Sequence, residues 1–268
     1  MVNCKLLVTV LFALCTASAV LAETTEQVTF EALETYSGAS AKAPGEVTAY
    51  LTLPTEGEGP FPAVIMMHGC SGLEDNHTRW ARLLADWGYA SLRVDSFTPR
   101  GIDEICTDIM RPVPRGADIN GAIVFLQSLA HIDATQLVVM GWSHGGSVTL
   151  QAAAEPGNLR QDLKPAILGA IAVYPYCSLT SQPFRVPLMV LIGDADDWTP
   201  HGLCESMAAG STANSAGIDL AVYPDVTHSY DCHACNGEYF GHTLIFDQSA
   251  YDDSVLRVQA FLATIFAR

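Results

Sequence analysis

The 268-residue chain sets 29 acidic side chains against 13 basic ones, a net charge of −16, with 49% hydrophobic and 16% charged residues. So few cations argue against nucleic acid or an anionic membrane surface as a partner, because both are held through basic patches. A chain of this length buries a core large enough to stand without cross-links, so any disulfides are additions to a fold that already holds.

Residues 1–22 read as a cleavable secretory signal peptide. Lys5 supplies a positive start, Leu6 to Leu14 an apolar run, and Val20-Leu21-Ala22 a processing site before Glu23. Cys15 follows Phe12-Ala13-Leu14, which lacks the small residue that lipoprotein processing prefers. The expected location is therefore secreted or periplasmic. No later run is long enough for a membrane span, and no membrane insertion is expected after cleavage. Loss of the leader removes Cys4 and Cys15 and leaves Cys70, Cys106, Cys177, Cys204, Cys232 and Cys235. An even count in an exported chain points to disulfides. With no linker and no repeat, Glu23 to Arg268 reads as one domain.

The chain then alternates two patterns. Glu46 to Leu53 is a half-buried strand. Ala63–Met67, Ala90–Val94, Leu137–Gly141, Ile167–Val173, Pro187–Ile192 and Leu220–Tyr223 are mainly apolar runs, as in a sheet covered on both faces. Between them, helical periodicity marks Thr78–Trp87, Asp118–Leu129, Ser147–Ala154, Leu203–Ala209 and Asp253–Phe266. Strands alternating with helices imply βαβ units. The expected fold is α/β, a mostly parallel sheet of about eight strands with helices on both faces and one or two antiparallel strands leading in.

Gly141-Trp142-Ser143-His144-Gly145 lies between an apolar strand and a helix, the context in which G-x-S-x-G presents a nucleophile at the tip of a sharp turn. Such a serine needs a base, and the base an orienting acid, each in a loop beyond a later strand. Asp194, Asp196 and Asp197 compete for the acid after one strand. His228 follows the last strand, with His233 and His242 as rivals in the same loop. His68-Gly69-Cys70-Ser71-Gly72 directly follows another strand. Its Cys70 amide and the His144 amide are the expected oxyanion donors. Asn76-His77-Thr78 is a glycosylation sequon placed awkwardly at a helix start.

These pieces resemble the dienelactone hydrolase family of the α/β-hydrolases: HGCSG at 68–72, RVDSFTPRG at 93–101, GWSHGG at 141–146, LIGDADDWTP at 191–200 and YPDVTHSYD at 223–231. The resemblance implies an α/β-hydrolase fold and selects Asp196 as the acid and His228 as the base of a triad with Ser143. It also suggests Arg100 as a binder of substrate carboxylate, and Trp142 and Trp198 are further candidates for substrate contact. The family's namesakes use a cysteine nucleophile and a glutamate in the first catalytic loop, where this chain has Ser143 and HGCSG. Hydrolysis of a small-molecule carboxylic ester through an acyl-enzyme follows, with no cofactor and no metal. A peptidase on the same fold, or a non-catalytic module built around the disulfides, are the alternatives. Among the cysteines, Cys232-x-x-Cys235 reads as a bridge holding the His228 loop. Cys177 can approach Cys204, which leaves Cys70 to pair with Cys106.

Overall fold

The computed structural model describes residues 24–34, 45–155, 157, 159–163, 167–178, 182–211 and 215–267. The expected signal peptide lies outside them. Eight strands form one sheet: β1 (Thr25–Glu31), β2 (Glu46–Thr52), β3 (Phe61–Met67), β4 (Ala90–Asp95), β5 (Ile132–Trp142), β6 (Gly169–Val173), β7 (Leu188–Gly193) and β8 (Ile218–Tyr223). Their order is β1-β2-β4-β3-β5-β6-β7-β8, with β1 and β2 antiparallel and every pairing from β4 to β8 parallel. This is the α/β-hydrolase fold. Every residue of β4, β6 and β7 is buried, which is why β6 and β7 carry unbroken apolar runs; β4 also buries Ser91, Arg93 and Asp95.

The helices are α1 (Asp75–Asp86), α2 (Arg115–Gln127), α3 (His144–Ala153), α4 (His201–Ala209) and α5 (Gln248–Phe266). The connection from β3 through α1 steps one way along the sheet. Those through α2, α3 and α4 step the other way, so right-handed crossovers put them on the opposite face. Against α1, α5 closes the first face, with Trp80 beside Tyr251 and Tyr89 beside Phe266 at ring distances of 6.1 and 5.0 Å. All five helices start earlier than periodicity suggests. Asp75, Arg115 and His144 lie in polar first turns, which carry no apolar rhythm to read.

A second, two-stranded sheet was not anticipated. β9 (Asn236–Tyr239) and β10 (His242–Ile245) form a hairpin whose residues are mostly exposed. With little buried on either face, it leaves no hydrophobic pattern in the sequence. Among the described residues no helix is long and apolar enough to cross a membrane.

Candidate active site

Ser143 sits at φ 51°, ψ −118°, between the end of β5 and the first turn of α3. Two glycines permit this turn. A Cβ on Gly141 would lie 2.3 Å from the Gly145 carbonyl oxygen, and one on Gly145 would lie 2.1 Å from the Met67 carbonyl oxygen. The close packing of α3 on β3 and β5 that presents Ser143 is therefore open only to glycine at these positions.

Beyond β8, His228 places Nε2 3.0 Å from Ser143 Oγ, and its Nδ1 lies 2.7 Å from Asp196 Oδ2. Asp196 follows β7. Its Oδ1 accepts the Trp198 and Thr199 amides at 2.9 and 2.8 Å, and Thr199 Oγ1 lies 2.8 Å from Oδ2. His228 and Asp196 are buried, 2% and 5% exposed, whereas Ser143 is half-buried. Burial acts to raise the Asp196 carboxyl. The His228 hydrogen bond and charge, with the bonds from Thr199, outweigh it and hold the group below its usual range. Tyr174 packs edge-on against the His228 ring at 4.7 Å, and Trp198 lies 5.2 Å from it.

The other aspartates do different work. Asp194 Oδ1 accepts the Asp225 amide at 2.6 Å, and Asp197 accepts the Thr243 amide and lies 3.3 Å from His242 Nδ1. His233 stacks on Phe246 at 4.0 Å, away from Ser143. His242 stacks on Trp198 at 4.4 Å. Neither rival histidine lines the cavity around Ser143.

Cys70 lines that cavity beside Gly69, and the His144 amide opens α3 directly after Ser143. Both segments are tied together by Arg115, which sequence reasoning missed. Its buried guanidinium donates to the His68 carbonyl oxygen at 2.5 Å and reaches His144 Nδ1 at 2.7 Å. Burial, then the Arg115 charge, push the His144 imidazole down to about 3, so it stays neutral and accepts from the guanidinium. Burial likewise lowers Arg115 itself, to about 10.

Asp231 was also missed. Fully buried, its carboxylate accepts from Tyr174 Oη at 2.6 Å, Trp80 Nε1 at 2.8 Å, Trp142 Nε1 at 2.9 Å and Asn76 Nδ2 at 3.3 Å. Asn76 is thus a buried donor, 3% exposed, and its amide faces a carboxylate rather than solvent, so the folded protein offers no glycosylation site there. The position of Asp231 three residues after His228 was the available clue.

Trp142 and Trp198 both line the Ser143 cavity. Arg100 does not. It forms a bidentate pair with the buried Asp118 at 2.6 and 3.0 Å and donates to the Ser96 carbonyl oxygen at 2.7 Å. Its guanidinium is thus held by a buried aspartate outside the Ser143 cavity, which gives it a part in the packing of the fold. The cysteines pair as Cys70–Cys106, Cys177–Cys204 and Cys232–Cys235. Among the described residues no group of metal-ligating side chains is assembled.

The profile of the Dienelactone hydrolase family matches residues 47–266. A protein of Methylorubrum extorquens named "Putative carboxymethylenebutenolidase" is 24% identical over 69% of this chain and 68% of its own. Among solved structures, m3DLH superposes with a TM-score of 0.71 at 17% identity over 91% of this chain and 99% of its own. The Pyrococcus furiosus esterase Pf2001 does so at 0.66 and 14%, over 92% and 94%. These structural likenesses are likenesses of fold.

Proposed function

The chain belongs to the dienelactone hydrolase family, and from that premise we propose that it is an exported serine hydrolase cleaving carboxylic esters through an acyl-enzyme. Membership brings a hydrolase. The observation that carries the finer reading is the continuous relay Asp196–His228–Ser143, at 2.7 and 3.0 Å, across three loops at one end of the sheet.

In this reading His228 Nε2 takes the proton of Ser143 Oγ as the oxygen attacks the ester carbonyl carbon. The carbonyl oxygen becomes an oxyanion facing the Cys70 and His144 amides, stabilised by their fixed dipoles. Collapse breaks the bond to the alcohol oxygen, which leaves with the proton held on His228. Water then repeats the sequence on the acyl-enzyme and frees the acid. Asp196 keeps the Nδ1 proton in place and stays ionised, in keeping with its lowered titration. Arg115 holds the two oxyanion segments in register through His68 and His144. Export is supported by three disulfides, which persist in oxidising compartments.

Labelling with a fluorophosphonate tests the nucleophile. Mass added at Ser143, and its loss together with esterase activity in Ser143→Ala, is the expected result; unlabelled protein, or activity unchanged in Ser143→Ala, rejects the proposal.

A further inference from the structure

The cavity around Ser143 is small, about 30 Å³, and shares lining residues with two larger hollows. One, of about 550 Å³, runs along Ser71, Asp75, Arg93 and Asp103; the other, of about 240 Å³, lies under the β9–β10 hairpin beside Glu238 and Tyr239. A single side chain, Glu74, lines all three. Its carboxylate accepts from Ser71 Oγ at 2.9 Å. Glu74 is exposed at the rim; what burial it has raises its carboxyl, the Asp231 charge adds to this, and the Ser71 bond and the His228 charge oppose it.

Among the described residues no lysine or arginine lines the cavity of Ser143. Each nearby arginine is committed to protein. Arg79 donates to the Asp231 carbonyl oxygen, Arg100 pairs with Asp118, and Arg115 holds His68 and His144. Arg93, in the larger hollow, bonds Thr78 Oγ1 and lies over the Tyr50 ring, and the same hollow carries Asp75, Asp95 and Asp103. Beside polar and aliphatic groups, the lining of the Ser143 cavity includes Trp198 and Tyr239. A carboxylate beside π faces attracts a cation and repels an anion.

We propose that Glu74 sets the charge selectivity of this site: its esters are neutral or cationic near the scissile bond, and carboxylate-bearing substrates are turned away. A carboxymethylenebutenolide, the compound in the name of the Methylorubrum relative, falls in the excluded class. The inference rests on the hydrolase reading above.

Three phenyl esters separate the outcomes: the butyrate, the hemisuccinate and the 4-(trimethylammonio)butyrate, assayed at pH 8 on the mature protein. The butyrate and the cationic ester are expected to exceed the hemisuccinate at least tenfold in kcat/KM. In Glu74→Gln the ratio of hemisuccinate to butyrate turnover should rise at least threefold, while Asp75→Asn, which lines only the larger hollow, should move it less. A hemisuccinate turned over as fast as the butyrate by the unaltered protein overturns the proposal. So does an unchanged ratio in Glu74→Gln, or an equal rise in Asp75→Asn. Phosphonate labelling of Ser143 reports separately on the hydrolase reading. A labelled serine with no charge preference removes only the role of Glu74, whereas an unlabelled one removes both.

Discussion

Asp231 accepts four side-chain hydrogen bonds from three other parts of the chain: Asn76 and Trp80 on α1, Trp142 at the end of β5, and Tyr174 after β6. It fastens the loop of His228 to the turn of Ser143 without touching either reacting atom. Asn in its place would turn an N–H group toward donors that need an acceptor, leaving buried groups unpaired. Asp231→Asn is therefore expected to lower stability by roughly 2–5 kcal/mol and to reduce kcat per folded molecule, read from urea melts and active-site titration. A loss of stability with kcat unchanged would make Asp231 purely a core residue. Among the three aspartates after β7, Asp196→Asn should reduce kcat by about four orders of magnitude, since the imidazole would lose its orientation. Asp194→Asn and Asp197→Asn should cost far less, because their partners are the Asp225 amide and the β9–β10 hairpin. Equal losses across the three would undo the assignment.

The disulfides act on elements. Cys177–Cys204 spans 27 residues and joins the segment after β6 to α4, whereas Cys232–Cys235 spans 3 and closes the turn that follows His228. Chain-entropy reasoning gives about 3–4 kcal/mol for the long loop and about 1.5 for the short one. Cys177→Ser/Cys204→Ser should accordingly lower Tm and leave activity per folded molecule nearly unchanged. Cys232→Ser/Cys235→Ser should do the reverse, loosening the base: a lower kcat and a small shift in Tm. The link is local, since the Cys235 carbonyl oxygen accepts the Phe246 amide just past β10, and β10 meets His228 through Leu244. Peptide mapping without reductant checks the pairings first.

For the whole molecule, the buried His68 and His77 and the half-buried His144 set the response to acid. Burial pushes His77 and His144 down to about 3 and His68 well below its ordinary value. In the unfolded chain each would titrate near 6.5. Below that pH the unfolded state binds protons that the folded state refuses, so stability is full above 6.5 and falls as pH drops toward 3. Each such histidine contributes a slope of about 1.4 kcal/mol per pH unit in that window. Urea melts at pH 7 and pH 5 should show a marked loss at pH 5. Equal stability at the two values would mean that these imidazoles are protonated in the folded state.

The parallel sheet, the order of its helices and the positions of Ser143, Asp196 and His228 were legible from the sequence alone. The first follows from apolar runs that only a doubly covered sheet requires. The Ser143 turn follows from glycines placed where α3 must approach β3 and β5 to within a Cβ radius. The selection of Asp196 among three neighbours came from a resemblance, and the hydrogen bond to His228 supplies its geometric reason. The roles of Asp231, Arg115 and Glu74 belong to the tertiary structure. A buried carboxylate or guanidinium is written in sequence with the same letter as a surface one, and its partners lie up to 155 residues away. Arg100 shows the converse, because only the folded chain brings Asp118 against its guanidinium. The β9–β10 hairpin escaped detection for a related reason: held by Asp197 and Trp198 from another loop, it needs no hydrophobic face of its own. Local patterning thus determined which elements form, while the pairing of charges across the chain decided which of them meet at the site.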